Sequence, residues 1–146
     1  MAIMRIENVG IVVENLKGAI AFFAQLGLTL EGETTVEGHW VDQLLGLNKV
    51  RADIAMMRTP DGHSRIELSR FHNPNAVRAG SKSAPVNTLG MGRIMFSVED
   101  IEDVLARLRK HGAEFVGELA LYEDKYGLCY VRGPEGILIA LAQELG

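Results

Sequence analysis

Two stretches of the chain follow the same residue pattern. Residues 8–32 align with residues 93–117 without a gap, and 5 of the 25 aligned pairs are identical, with apolar positions matched nearly throughout. A second similarity closes each half, where Pro60-Asp61-Gly62 corresponds to Pro134-Glu135-Gly136. The chain is therefore interpreted as two copies of one supersecondary unit. We expect a pseudo-twofold to relate the copies, so that matched positions converge on one shared space.

Each copy has the residue pattern of a β-α-β-β-β unit. In the first copy Asn15 is expected to cap a helix whose apolar face is Leu16, Ala19, Ile20 and Phe23, and Gly27 to end it. Asp100 and Gly112 bound the equivalent helix, with Ile101, Val104, Leu105 and Leu108 on its face. Strands are predicted at 5–13, 28–31, 51–58 and 63–70, then at 93–98, 114–116, 126–132 and 137–142, with a short helix possible at 39–47.

The expected fold class is α+β, with one domain, 1–146, built from two such modules. Module 1 spans about 4–70, a linker rich in Asn, Pro, Ser and Gly spans 71–91, and module 2 spans about 92–143. Each helix would cover one face of a small, cupped mixed sheet and leave the other face to be covered. Because a small sheet with an uncovered face is unstable alone, the pattern predicts a pocket and favours a homodimer.

Composition limits the kinds of partner and the cellular compartment that are expected for this protein. The chain has 146 residues and a net charge of −4, which argues against nucleic acid as a partner. The apolar runs are too short to span a bilayer, so no membrane partner is expected. Cys129 is the single cysteine, which excludes an intrachain disulfide and favours the cytoplasm. Its β-branched and aromatic surroundings predict a small buried hydrophobe.

The ordered set of motifs resembles the glyoxalase/bleomycin-resistance/extradiol-dioxygenase superfamily, also called vicinal oxygen chelate proteins. The resemblance covers almost the whole chain. It depends on the paired units and on four motifs: Asn8-Val9-Gly10-Ile11-Val12-Val13-Glu14-Asn15-Leu16, Asp61-Gly62 leading to Ile66-Glu67-Leu68, Phe96-Ser97-Val98-Glu99-Asp100-Ile101, and Gly133-Pro134-Glu135-Gly136. It implies cupped sheets, frequent dimers, and a small-molecule site in each cup.

Metal-dependent members of this superfamily hold their ion at four positions, usually His or Gln, Glu, His and Glu. The resemblance places Asn8, Glu67, Arg93 and Ala140 at those positions. Glu67 suits a hard metal and Asn8 is a weak ligand, but Arg93 has no lone pair to offer and Ala140 has no ligand atom. We therefore expect no cofactor, and a divalent metal is disfavoured.

Arg93 and Glu67 would then place one permanent positive charge opposite one carboxylate at the position where relatives hold the metal ion. Three readings stay open: a structural ion pair, a pair that anchors a ligand oxygen at Arg93, and a catalytic base at Glu67. An adjacent Arg works against the raised pKa that a base requires. Five further side chains are candidate ligand contacts, with Trp40 an equally good candidate for the dimer contact: Trp40, Met57, Met95, Tyr126 and Tyr130.

The favoured function is binding of a small organic molecule by a cytoplasmic homodimer, with an anionic or carbonyl oxygen of the ligand near Arg93. This would resemble sequestration by bleomycin-resistance proteins. The alternative is a metal-dependent lyase or isomerase, similar to lactoylglutathione lyase or methylmalonyl-CoA epimerase, or a dioxygenase-like enzyme of the same superfamily.

Overall fold

The sequence repeat corresponds to two separate sheets in a computed structural model, which describes residues 2–146. One unit ends at Arg78 and the other spans Ala79–Gly146. The boundary between them falls inside the predicted linker. The predicted α+β class with two mixed sheets is confirmed, because the units hold sheets of four and five strands.

The first unit contains four strands and two helices. The strand order is β1-β4-β3-β2, with β1 parallel to β4 and the other pairs antiparallel. The elements are β1 (Val9–Val12), α1 (Leu16–Gln25), β2 (Thr29–Glu37), α2 (His39–Leu45), β3 (Arg51–Arg58) and β4 (Arg65–Asn73).

Helix α1 begins and ends as its sequence predicts. The Asn15 side chain accepts a hydrogen bond from the backbone N–H of Gly18 at 2.9 Å, and Gly27 follows with φ +106°. Ala19, Phe22 and Phe23 are buried, and the two rings meet edge to face with centroids 5.4 Å apart. Phe22 was not predicted on this face, because the apolar stripe is wider than a strict i, i+3, i+4 pattern.

The second unit repeats this plan with one added strand. Its strand order is β5-β9-β8-β6, with β5 parallel to β9, and β7 also pairs with β8. The elements are β5 (Arg93–Ser97), α3 (Ile101–Lys110), β6 (Glu114–Phe115), β7 (Ala120–Tyr122), β8 (Tyr126–Arg132) and β9 (Leu138–Glu144). The short strand β7 was not predicted.

Helix α3 confirms its sequence prediction in full. The Asp100 side chain accepts from the N–H of Asp103 at 3.2 Å, and Gly112 follows the helix with φ +90°. All four predicted apolar positions are buried: Ile101, Val104, Leu105 and Leu108. No helix among residues 2–146 is long and apolar enough to cross a membrane.

Several predicted strand boundaries need correction, and the largest differences are in the first unit. Strand β1 is shorter than the predicted 5–13, and β4 starts later and ends later than the predicted 63–70. Strand β2 continues to Glu37 rather than 31, because its polar residues pair along the whole length of β3, past a register shift between Leu30 and Gly32. The length of β2 is set by backbone pairing at this edge of the sheet, and the pattern of its side chains does not reveal that pairing.

Candidate functional site

Glu67 lies in a row of residues that crosses all four strands of the first sheet. Gly10 is its partner on β1, Met56 its partner on β3, and Gly32 the partner of Met56 on β2. Directly opposite residues point to the same side of a sheet, which is here called the Glu67 face. A Cβ added at Gly10 or Gly32 would meet nothing within 4 Å. The two glycines therefore leave open space on either side of Glu67 and Met56.

Asn8 and Glu67, two of the predicted site residues, are in contact. The Asn8 Nδ2 donates a hydrogen bond to the Glu67 Oε2 at 3.3 Å, and both residues are half-buried. The contact is possible because parallel pairing brings the start of β1 beside the start of β4, where Val9 is opposite Ile66. One amide and one carboxylate are thus fixed together on the Glu67 face.

A cluster of charges occupies the next row of this face. Arg58 and Arg65 are cross-strand partners, and Arg65 contacts Glu31 through its Nε at 2.8 Å and its Nη2 at 3.1 Å. This bidentate hydrogen bond holds the pKa of the Glu31 carboxyl below its usual value. Since these groups are exposed, the contact contributes little to stability, but it fixes the position of the charges.

The structure corrects the expectation for Met57. Its side chain is 0% exposed and points away from the Glu67 face, toward the core shared with Ile66 and Leu68. Its neighbour Met56 is the methionine that shares a face with Glu67. Met57 is therefore a core residue, and it has no surface to offer a ligand.

Arg93 and Tyr130 are brought together in the second sheet. The guanidinium carbon of Arg93 lies 5.4 Å from the centroid of the Tyr130 ring, which is a cation–π contact. Arg93 is on β5 and Tyr130 on β8, two strands away, so the long side chain crosses β9 to reach the ring. The side of the sheet that carries both residues is here called the Arg93 face.

Ala140 is the residue of β9 that lies next to Tyr130 on the Arg93 face. It is the partner of Met95 on one side and of Tyr130 on the other, and it is fully buried. Because its side chain is a single methyl group, it adds little bulk beside the Tyr130 ring. Met95 lies on the same face and is half exposed.

Two other predicted residues lie away from this contact. Tyr126 shares the face with Tyr130 but lies at the far end of β8, opposite Glu144 and Tyr122. Trp40 is on α2 and is 58% exposed. Its role as a pocket wall or dimer contact stays a prediction, as does the pairing of Arg93 with Glu67.

Arg132 has a role that its sequence context did not indicate. Its guanidinium donates to the backbone carbonyls of Ala84, at 2.5 Å, and of Lys82 and Gly136, both at 3.4 Å. Arg132 and Arg93 are both partners of Leu138, on opposite sides of it. Arg132 therefore fixes segment 82–84 at the end of the Arg93 face, a contact between distant residues that carries no sequence motif.

Cys129 is a core residue of the second unit, as predicted. Its side chain is almost fully buried, and this burial raises the pKa of the thiol. Because the thiolate is the nucleophilic form, a raised pKa disfavours nucleophilic chemistry at this position.

Family comparison agrees with the duplicated fold. Residues 5–141 match the family model described as the Glyoxalase/Bleomycin resistance protein/Dioxygenase superfamily. The chain belongs to this superfamily. The predicted resemblance is thereby confirmed over nearly the whole length.

Solved structures of other glyoxalase-family proteins share the fold of this one. A glyoxalase family protein from Bacillus cereus is 57% identical, with 100% of this chain and 97% of that one covered and a TM-score of 0.94. A glyoxalase family protein from Enterococcus faecalis is 20% identical, with 94% and 96% covered and a TM-score of 0.61. A glyoxylase/bleomycin resistance protein/dioxygenase domain from Frankia is 17% identical, with 98% and 93% covered and a TM-score of 0.66. The last two show the fold alone. No curated protein matches the chain.

The metal of metal-dependent superfamily members does not fit the donor atoms of this glyoxalase-family chain. At the four equivalent positions, Glu67 and Asn8 provide one carboxylate and one amide that bond to each other. Arg93 is cationic and in contact with a ring, and Ala140 has no ligand atom. Within residues 2–146, no three His, Cys, Asp or Glu side chains cluster to form another candidate site. One carboxylate and one amide are too few donor groups to hold a divalent ion.

Proposed function

We propose that this glyoxalase-family protein binds a small organic anion at the Arg93 face, with the Arg93 guanidinium in the place of a metal. The observation that carries the proposal is the position of Arg93, whose guanidinium lies over the ring of Tyr130. Arg93 and Ala140, the two departures from the superfamily's metal ligands in the second unit, lie on the same face of its sheet.

The hydrogen-bonding state of Arg93 supports an anionic ligand. Within residues 79–146, no carboxylate lies at ion-pair distance from Arg93 and no hydrogen bond joins its side chain to an acceptor. A cation–π contact uses the charge of the guanidinium but no oxygen acceptor, so its N–H donors are available to a ligand. A carboxylate or phosphate matches the planar fork of donors in two parallel hydrogen bonds.

The chemistry of this arrangement is recognition rather than Lewis-acid activation. A guanidinium stabilises negative charge on oxygen through fixed donors and stays protonated at physiological pH. Tyr130 restricts the motion of the Arg93 side chain, so less conformational entropy is lost when the ligand binds. We therefore expect selectivity for charge, with the organic part of the ligand held by apolar contacts.

Paired ligands that differ in charge test this proposal. Chelator-treated protein would be titrated calorimetrically with octanoate and with octanamide, its neutral analogue. We expect octanoate to bind about 10-fold or more tightly than octanamide, because a hydrogen bond to a charged partner contributes roughly 1.5–3 kcal/mol. Equal affinities, or no binding of octanoate, would contradict the proposal.

A further inference from the structure

A groove of about 270 Å³ lies beside Tyr130 in the second unit. It exists because β6 and β7 both pair with β8 but are separated by a segment that leaves the sheet. The N–H of Val116 still bonds to the carbonyl of Tyr130 at 3.0 Å, and pairing resumes where Ala120 meets Leu128. Six residues line most of the groove: Val116, Gly117, Glu118, Ala120, Leu128 and Tyr130.

The groove and the Arg93 contact share one face of the sheet. Val116 continues the β6 pairing opposite Tyr130, and Ala120 is opposite Leu128, so these side chains point to the same side as Arg93. Tyr130 belongs to both sites, since its ring contacts the guanidinium and it is one of the residues that line the groove. An anion bound at Arg93 therefore has an apolar surface directly beside it.

We propose that this groove binds the hydrocarbon part of the anion whose charged group is bound by Arg93. The inference rests on the proposed function and specifies its ligand as an amphipathic monoanion, such as an alkyl monocarboxylate. The side chains of Val116, Ala120 and Leu128 present carbon atoms alone, so they stabilise a methylene chain and offer no hydrogen bond. Each methylene group taken out of water contributes to affinity in proportion to its buried area.

Glu118 adds a preference for one charge over two. It carries the negative charge among the groove residues described above, and the strand order places it beyond β8, on the side away from Arg93. A dicarboxylate with one end at Arg93 would bring its other end toward this carboxylate. The resulting repulsion, and the lack of a cation in the groove lining, favour ligands with an apolar end.

A chain-length series tests the groove. Affinities of butanoate, hexanoate and octanoate would be measured for the wild type and for Ala120→Phe, which fills the groove from an exposed edge strand. We expect a gain of about two- to fourfold per methylene in the wild type. In Ala120→Phe the gain is expected to disappear while butanoate binds as before. A variant that keeps the full gain would overturn the groove assignment.

The dicarboxylate octanedioate tests the role of Glu118. We expect the wild type to bind octanoate about 10-fold more tightly than octanedioate, and Glu118→Gln to reduce this ratio severalfold. Glu102→Gln, which removes a carboxylate from helix α3 instead, should leave the ratio unchanged. Chain-length dependence without any preference for octanoate over octanamide would contradict the function proposed for Arg93. A preference for octanoate over octanamide without chain-length dependence would contradict the groove assignment and leave the function proposed for Arg93 intact.

Discussion

Replacement of Arg93 by Met is expected to weaken octanoate binding by about 10- to 100-fold, because the ligand loses its charge-assisted hydrogen bonds. Methionine keeps most of the apolar length of the Arg93 side chain, so the packing of β5 beside Leu138 should be retained. Calorimetric titration would measure the affinity, and thermal unfolding without ligand would show that the fold is retained.

Two further variants make the Arg93 experiment specific. Arg93→Lys keeps the charge but loses the planar fork, so an intermediate loss of affinity is expected. Arg107→Met removes the same charge from α3, where Arg107 contacts Asp103 at 3.1 Å, and should bind octanoate as the wild type does. Equal losses in Arg93→Met and Arg107→Met would mean that net charge, and not the site, attracts the anion.

Replacement of Phe23 by Ala is expected to lower the free energy of unfolding by about 3–5 kcal/mol, the usual cost of removing a buried aromatic ring. Phe23 is 0% exposed, and its ring meets Phe22 edge to face. A loss of this size is a large fraction of the stability of a typical domain. Urea unfolding followed by circular dichroism would measure it.

The same substitution at an exposed phenylalanine provides the matched control. Phe115 is 41% exposed and lies beneath the Arg109 guanidinium, with 4.4 Å from the guanidinium carbon to the ring centroid. Phe115→Ala is expected to lower the free energy of unfolding by about 1 kcal/mol, because the cation–π contact and the partial burial of the ring are lost. If Phe23→Ala lowers the free energy of unfolding by no more than Phe115→Ala does, helix α1 is not packed as described.

The helices were predictable because their signals are local. For α3, the cap at Asp100, the apolar face and the final Gly112 lie within 13 residues, and all of them appear in the structure. Strands β3 and β8 also have the predicted bounds, since apolar and β-branched residues fill them and turn residues flank them. Strand β7 is three exposed residues, too short to give a pattern.

The site was less predictable because it depends on strand register. The sequence prediction chose Met57 as a ligand contact, but the pairing of β3 with β4 places Met56 on the face of Glu67. The Arg93–Tyr130 contact joins residues of β5 and β8, which do not pair with each other, so it depends on the strand order. Both residues were named from the sequence, but not their relation to each other.

The metal dependence of ligand binding tests the central claim most directly. The claim is that the Arg93 guanidinium, rather than a metal ion, binds the anionic ligand in this member of the superfamily. Octanoate would be titrated into chelator-treated protein, then into the same protein after addition of one equivalent of Zn²⁺, Ni²⁺ or Fe²⁺. We expect the same affinity in every titration. Binding that appears only after a metal is added would contradict the account and would favour the metal-dependent lyase or isomerase.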